Sequence, residues 1–146
     1  MIDRFQAFVS GISICYKYIQ KIKTMEMTEF GLKGTHVMCI FYIYHSEEEL
    51  TAAQLCQLCA EDKAAISRTL VTLQEKGYVE TGEKKYRAHL KLTKKGEKLA
   101  GQIDGLIEQW VLHGGDGLSE EERNSFYHAL NLISSNLREK LNKEKK

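Results

Sequence analysis

The sequence predicts a mainly α-helical chain with one small antiparallel β-hairpin: a winged helix-turn-helix flanked by N- and C-terminal dimerisation helices. Three observations predict it. Two short helical patterns stand almost back to back in "LTAAQLCQLCAEDKAAISRTLVTLQEKG", Leu50 to Gly77. A period-two stretch, "YVETGEKKYRAHLKLT", follows at once. Long segments striped with apolar residues lie on both sides of this middle part, which is the pattern of helices that bury one face.

Taken in order, Phe5, Phe8, Ile12, Cys15, Ile19 and Ile22 recur at intervals of three and four, so the first segment is a long amphipathic helix. Gly31 and Gly34 interrupt it. "THVMCIFYIYH" is apolar nearly all round, as expected of a helix surrounded by other elements. Thr51 with Gln54 three residues later forms a capping box, and the helix it opens should run to about Cys59. "AED" then turns the chain, Asp62 caps a second helix whose buried side is Ile66, Leu70 and Leu73, and Gly77 ends it. Val79 and Thr81, then Ala88, Leu90 and Leu92, alternate as two strands around a turn at Gly82 to Tyr86. Thr93 caps the next helix, striped by Leu99, Ile103, Leu106, Ile107 and Trp110 and stopped by "HGGDG". Ser119 and Glu122 form a second capping box, and Phe126, Leu130, Ile133 and Leu137 mark the apolar side of the last helix.

These boundaries divide the 146 residues into a winged-helix part, 35–93, helical dimerisation parts at 1–30 and 94–141, and a charged tail, 142–146, expected to be disordered.

Composition narrows the function. A formal charge of +1 gives no global basic field, so any role on nucleic acid must rest on a local patch. No apolar run approaches the length of a membrane span and the N-terminus lacks the marks of a signal peptide, so a cytoplasmic protein with no membrane partner is expected. With no glycine-rich phosphate loop, no nucleophile motif and no metalloprotease spacing, the chain is not read as an enzyme, and no cofactor or metal is expected.

The local patch is present. Lys84, Lys85, Arg87, Lys91, Lys94, Lys95 and Lys98 crowd one short stretch, opposed only by Glu83 and Glu97. On the hairpin Arg87, His89 and Lys91 share one side, away from Leu90 and Leu92, where they can follow a phosphate backbone or enter a narrow minor groove. The second helix of the pair offers Lys63, Ala64, Ala65, Ser67, Arg68 and Thr72 on its open face. Arg68 can donate two hydrogen bonds to a guanine edge, Ser67 and Thr72 can bond bases or phosphates, the alanines allow close approach, and Lys63 suits phosphate. Double-stranded DNA is the expected partner.

The winged part is too small to cover Phe5, Phe8, Ile12 and Ile19 on the first helix, or Trp110, Phe126, Leu130 and Ile133 on the last two. A self-complementary homodimer interface would bury them. Four cysteines, Cys15, Cys39, Cys56 and Cys59, all fall inside helical patterns and are expected to be buried. Cys56 and Cys59 spell C-x-x-C, but within one short helix both should point to the core beside Leu55. Core packing is likewise expected of Cys15 and Cys39.

On "LTAAQLCQLCAEDKAAISRTLVTLQEKGYVE", "LKLTKKGEKLA" and "LSEEER", with the string Arg68, Leu73, Gly77, Leu92, Thr93 and Gly96, the chain resembles the MarR family of bacterial transcriptional regulators. The resemblance implies an obligate homodimer, joined through the first helix and the last two, that binds a pseudo-palindromic operator and usually represses. It also implies release by a small aromatic effector held between the dimer helices and the winged part, where His36, Tyr42, Tyr44 and His45 would border the cleft. Family wings carry an Asp-Arg-Arg pattern at the tip. Here the wing reads "GEKKYRAHL", without that aspartate, and Arg87 is the nearest counterpart of the arginine. The alternative readings are a regulator that senses oxidant through its cysteine thiols and a winged-helix protein-interaction module without specific DNA binding.

Overall fold

The computed structural model describes residues 1–82 and 88–144. The elements run α1 (Ile2–Met27), a single 3-10 turn (Thr28–Phe30), α2 (Gly34–His45), β1 (Leu50–Thr51), α3 (Ala52–Cys59), α4 (Lys63–Glu75), β2 (Val79–Thr81), β3 (His89–Leu92), α5 (Lys94–Gly114) and α6 (Glu120–Glu144). Every helix expected from the apolar spacing is present. The sheet holds one strand more than expected: β3 pairs antiparallel with β2 (Val79 opposite Leu92) and also with β1 (Leu50 opposite Leu90). Two residues are too few to show a period of two, so β1 left no pattern in the sequence.

Local chemistry sets the helix ends. The Thr51 backbone N–H donates to Gln54 Oε1 at 2.8 Å, while Gln54 N–H donates to Thr51 Oγ1 at 3.3 Å, closing the expected capping box. Asp62 Oδ1 accepts from the Ala65 N–H at 2.7 Å and starts α4. Ser119 and Glu122 make the same reciprocal pair before α6, and these bonds hold the Glu122 carboxyl below its usual pKa. Between α3 and α4 the chain reverses through Ala60, which sits in the left-handed region at φ 53° although it carries a Cβ.

The chain divides into two compact units, Met1–Gly105 and Leu106–Lys146, with the boundary inside α5. In the first unit α2 packs against α1, α3, α4 and β3, which explains why its sequence is apolar nearly all round. Its core includes Met27, Ile40, Leu55, Ile66, Leu73, Leu99 and Ile103, each at most 2 % exposed. Burying one such side chain is worth roughly 1.5–3 kcal/mol. Leu99, Ala100 and Ile103 bring the first half of α5 into this core, so the helix belongs to the winged part for about three turns beyond the division at residue 93 drawn from sequence. In the second unit no described residue is buried. Helix α6 runs on to Glu144, well into the stretch 142–146 expected to be disordered, with Lys140 paired to Glu144 and Lys143 to Glu139 along its surface.

The end of α4, the wing and the start of α5 meet in one knot. Gly77 takes φ 74° and turns the chain out of α4. The Thr93 hydroxyl donates to the Gly77 carbonyl at 2.6 Å and accepts from the Gly96 N–H at 3.1 Å, so one side chain closes the wing and caps α5. Thr93 N–H also donates to the Tyr78 carbonyl at 3.1 Å. Gly96 lies so close to that carbonyl that a Cβ would collide with it. Gly96→Ala is therefore expected to destabilise the protein by about 1–3 kcal/mol, although alanine favours a helix over glycine. Urea denaturation of both proteins at one fixed concentration measures this, and an unchanged or higher midpoint would refute the close approach.

Candidate nucleic-acid interface

Helix α4 has the two faces that a reading helix needs. Its rear is held by Ile66, Thr69, Leu70 and Leu73, all buried against the first-unit core. On its front Lys63, Ala64, Ser67 and Arg68 are exposed, and Ala65 and Thr72 are half-buried. The structure thus brings the six nominated residues to one helix, four of them fully open to solvent. Thr72 differs from expectation in detail: its hydroxyl donates to the Arg68 carbonyl at 3.2 Å, leaving only its acceptor side for a partner. Val71, not nominated, is 49 % exposed on the same front, one turn on from Ser67. Counting four residues from Ser67 would have found it, and its methyls suit a thymine methyl.

Two described residues of the wing, Lys91 and His89, are engaged within the chain. Lys91 Nζ lies 2.6 Å from Glu49 Oε1, and this carboxylate raises the lysine pKa. His89 Nδ1 donates to the Glu49 carbonyl at 3.1 Å. Both side chains leave the sheet on the side away from buried Leu90, as alternation requires, but each is engaged with the segment that leads into β1. Glu49 escaped notice because the strand that places it beside β3 was itself not legible. Lys84, Lys85 and Arg87 lie outside the described residues. At the root of the wing, Lys95 Nζ donates to the Lys76 carbonyl at 2.7 Å and lies 4.5 Å from the centre of the Tyr78 ring.

Of the four residues nominated for an effector cleft, Tyr42 lines a cavity among the described residues. That cavity, about 170 Å³, lies in the first unit between α1, α2 and the end of α3, and Tyr16, Lys23, Met38, Leu58 and Cys59 are among its walls. His36 instead turns back on its own helix: its Nδ1 accepts the Lys33 N–H at 2.7 Å and caps α2. His45 Nε2 donates to Asp104 at 2.8 Å, and Tyr44 stacks edge-on against the His45 ring. These three make local contacts on α2 and α5 that sequence spacing does not reveal.

The cysteines also depart from expectation. Cys39 is buried as expected, but Cys15 is exposed on α1, and Cys56 and Cys59 are half-buried. The Cys59 sulfur lies 3.9 Å from that of Cys39 on α2. Apolar residues nominated for a dimer interface stand open on the chain: Phe5 is 68 % and Phe126 56 % exposed, Phe8, Ile12, Ile19, Trp110 and Ile133 are exposed as well, and Leu130 is half-buried.

Comparison with known proteins agrees with this geometry. The family model described as MarR family matches residues 30–85, from the end of the 3-10 turn through α2, the helix pair and β2. The whole chain superposes on solved structures of the same kind. A MarR protein from Peptoclostridium difficile DA00132 aligns with a TM-score of 0.83 at 17% identity, covering 92% of this chain and 89% of that one. A MarR/EmrR family transcriptional regulator from Acinetobacter sp. ADP1 gives 0.82 at 22% identity, covering 95% and 99%. A structure from Listeria monocytogenes, described as a MarR family transcriptional regulator complexed with 26mer DNA, gives 0.83 at 20% identity over 90% and 89%. At these identities the likeness establishes the fold, and with the match over 30–85 it meets the resemblance read from the sequence.

His36 generates a test of pH. Burial, then the charges of Lys33 and Lys76, lower its pKa from the ordinary histidine value. The neutral ring is the form that accepts the Lys33 N–H, so its contribution to stability is present above about pH 6.5 and is lost as pH falls through the lowered folded value. Between pH 7.5 and pH 5, on the order of one histidine titration, the wild type should lose more stability than His36→Ala does. Parallel losses in denaturant melts would remove the histidine from the account.

Proposed function

We propose that this chain is a MarR-family transcriptional regulator that binds double-stranded DNA as a homodimer, with α4 in the major groove and the wing along the phosphate backbone. The observation that carries the reading is the front of α4. Exposed Lys63, Ser67 and Arg68 project from a helix whose rear is locked into a core, so side chains able to bond base edges sit on a rigid support. The DNA complex of the Listeria relative supports the same use of the fold.

The dimer reading draws on the apolar surface of α1 and of the second unit, which no part of the single chain buries. Homodimers place such faces in contact, and a twofold axis would present two α4 helices to successive major grooves about ten base pairs apart. The partner is then a pseudo-palindromic operator. Repression, with release by a small aromatic ligand, is the regulatory mode we assign, and ligand binding acts by favouring one spacing of the two helices. A cytoplasmic location follows from that partner. Among the described residues no helix is long and apolar enough to cross a membrane.

Selection from random duplexes at physiological salt should enrich an inverted repeat with half-sites about one helical turn apart. Weak, salt-sensitive binding without enrichment would point to the protein-interaction reading instead. On the selected operator, Arg68→Ala should reduce discrimination against scrambled DNA by about 1–3 kcal/mol. An unchanged ratio would remove Arg68 from base readout. Sedimentation equilibrium should show a dimer, and Ile12→Asp, at an exposed position on α1, should shift it to monomer and weaken operator binding at least about tenfold. A wild-type monomer at micromolar concentration would overturn the dimer.

A further inference from the structure

The pair formed by Cys39 and Cys59 has no role in DNA binding, yet it joins two helices at a sensitive place. Cys39 lies on α2 and is wholly buried. Cys59 is the last residue of α3 and is half-buried, with its thiol side forming part of the cavity that also includes Lys23 and Glu61. Their sulfurs stand 3.9 Å apart. We propose that Cys39 and Cys59 form a redox-active dithiol, in which Cys59 reduces a hydroperoxide and Cys39 then closes an intrachain disulfide between α2 and α3.

The geometry assigns the two roles. Cys59 lines the cavity and is half-buried, so it is the thiol a peroxide can approach, whereas Cys39 is wholly buried. The hydrogen bond between the two sulfurs lowers the Cys59 pKa and so favours a thiolate there, and the Lys23 ammonium acts in the same direction against burial and Glu61. The same hydrogen bond and burial raise Cys39, which keeps its proton until it reacts. From sequence, Cys56 and Cys59 on their short helix are expected to point to the core; the fold brings Cys39 to Cys59.

The chemistry balances in two steps. The Cys59 thiolate attacks the outer peroxide oxygen, an S–O bond forms as the O–O bond breaks, and the leaving alkoxide or hydroxide takes a proton to give an alcohol or water. Cys59 is then a sulfenic acid. The Cys39 sulfur attacks it, the S–S bond forms as the S–O bond breaks, and hydroxide departs with the Cys39 proton as water. Two electrons pass from the thiol pair to the peroxide. The sulfurs must close from 3.9 Å to about 2 Å. Cys59 lies at the end of an eight-residue helix, next to the turn through Ala60, where the chain can make that shift. The disulfide would tether α3 to α2 three residues ahead of the Asp62 cap of α4. Any effect on DNA depends on the regulatory reading above, whereas the dithiol does not.

Full-length protein treated with hydrogen peroxide, unfolded, alkylated and digested tests this by mass. We expect a linked pair of peptides holding Cys39 and Cys59, with both sites lost to alkylation and restored by a thiol reductant. The link should persist in Cys15→Ser/Cys56→Ser, and in Cys39→Ser a dimedone probe should trap Cys59 as the sulfenic acid. Failure of Cys39→Ser to fold leaves the wild type and the double variant as the deciding pair. Both sites remaining open to alkylation, or Cys59 linked to Cys56 or to another chain, would overturn the proposal. The readout needs no DNA, so failure here and failure of operator selection are separate results.

Discussion

The placement of α4, β2 and α5 depends on one short-range constraint, the closure of the wing root on the end of α4. Thr93 bonds both to the Gly77 carbonyl and to the Gly96 N–H, and Gly96 lies flush against the Tyr78 carbonyl. Three elements are thereby set by one threonine hydroxyl and the backbone groups around it. A methyl group at residue 96 has no room, and a residue other than glycine at 77 would resist the left-handed turn. The direction in which β2 leaves α4 follows from these few atoms.

Apolar surface is distributed very unevenly between the two units. The first closes around α2 and buries side chains from α1 to α5. The second carries Trp110, Phe126, Tyr127, Leu132, Ile133, Leu137 and Leu141 exposed on its helices. Scattered exposed apolar residues are normal, but contiguous stripes on long helices are not what a solitary chain presents to water. The first unit holds α4 against a closed core, whereas the apolar residues of the second stand open on its helices.

Charge on the wing is governed by tertiary pairing. Glu49 takes up Lys91 and, through its carbonyl, His89, so part of the basic run is neutralised within the chain. Exposed ion pairs of this sort contribute little stability. Their effect is on which cations face outward: Lys91 is paired, while Lys63 and Arg68 on α4 are exposed.

The amino-acid order by itself determined the helices, their caps and the faces of α4, because those depend on contacts three or four residues apart: Thr51 with Gln54, Asp62 with Ala65, and Ile66, Leu70 and Leu73 on one side. It also exposed the family likeness, since the helix pair and wing root keep their spacing. Only the tertiary structure decided what meets across the chain. Strand β1, the pairing of Lys91 with Glu49, the salt bridge of His45 to Asp104 and the approach of Cys39 to Cys59 join residues between about twenty and sixty positions apart, where local periodicity carries no information. Cys15, expected to be buried, is exposed, because which side of a helix is covered is settled by what packs against it.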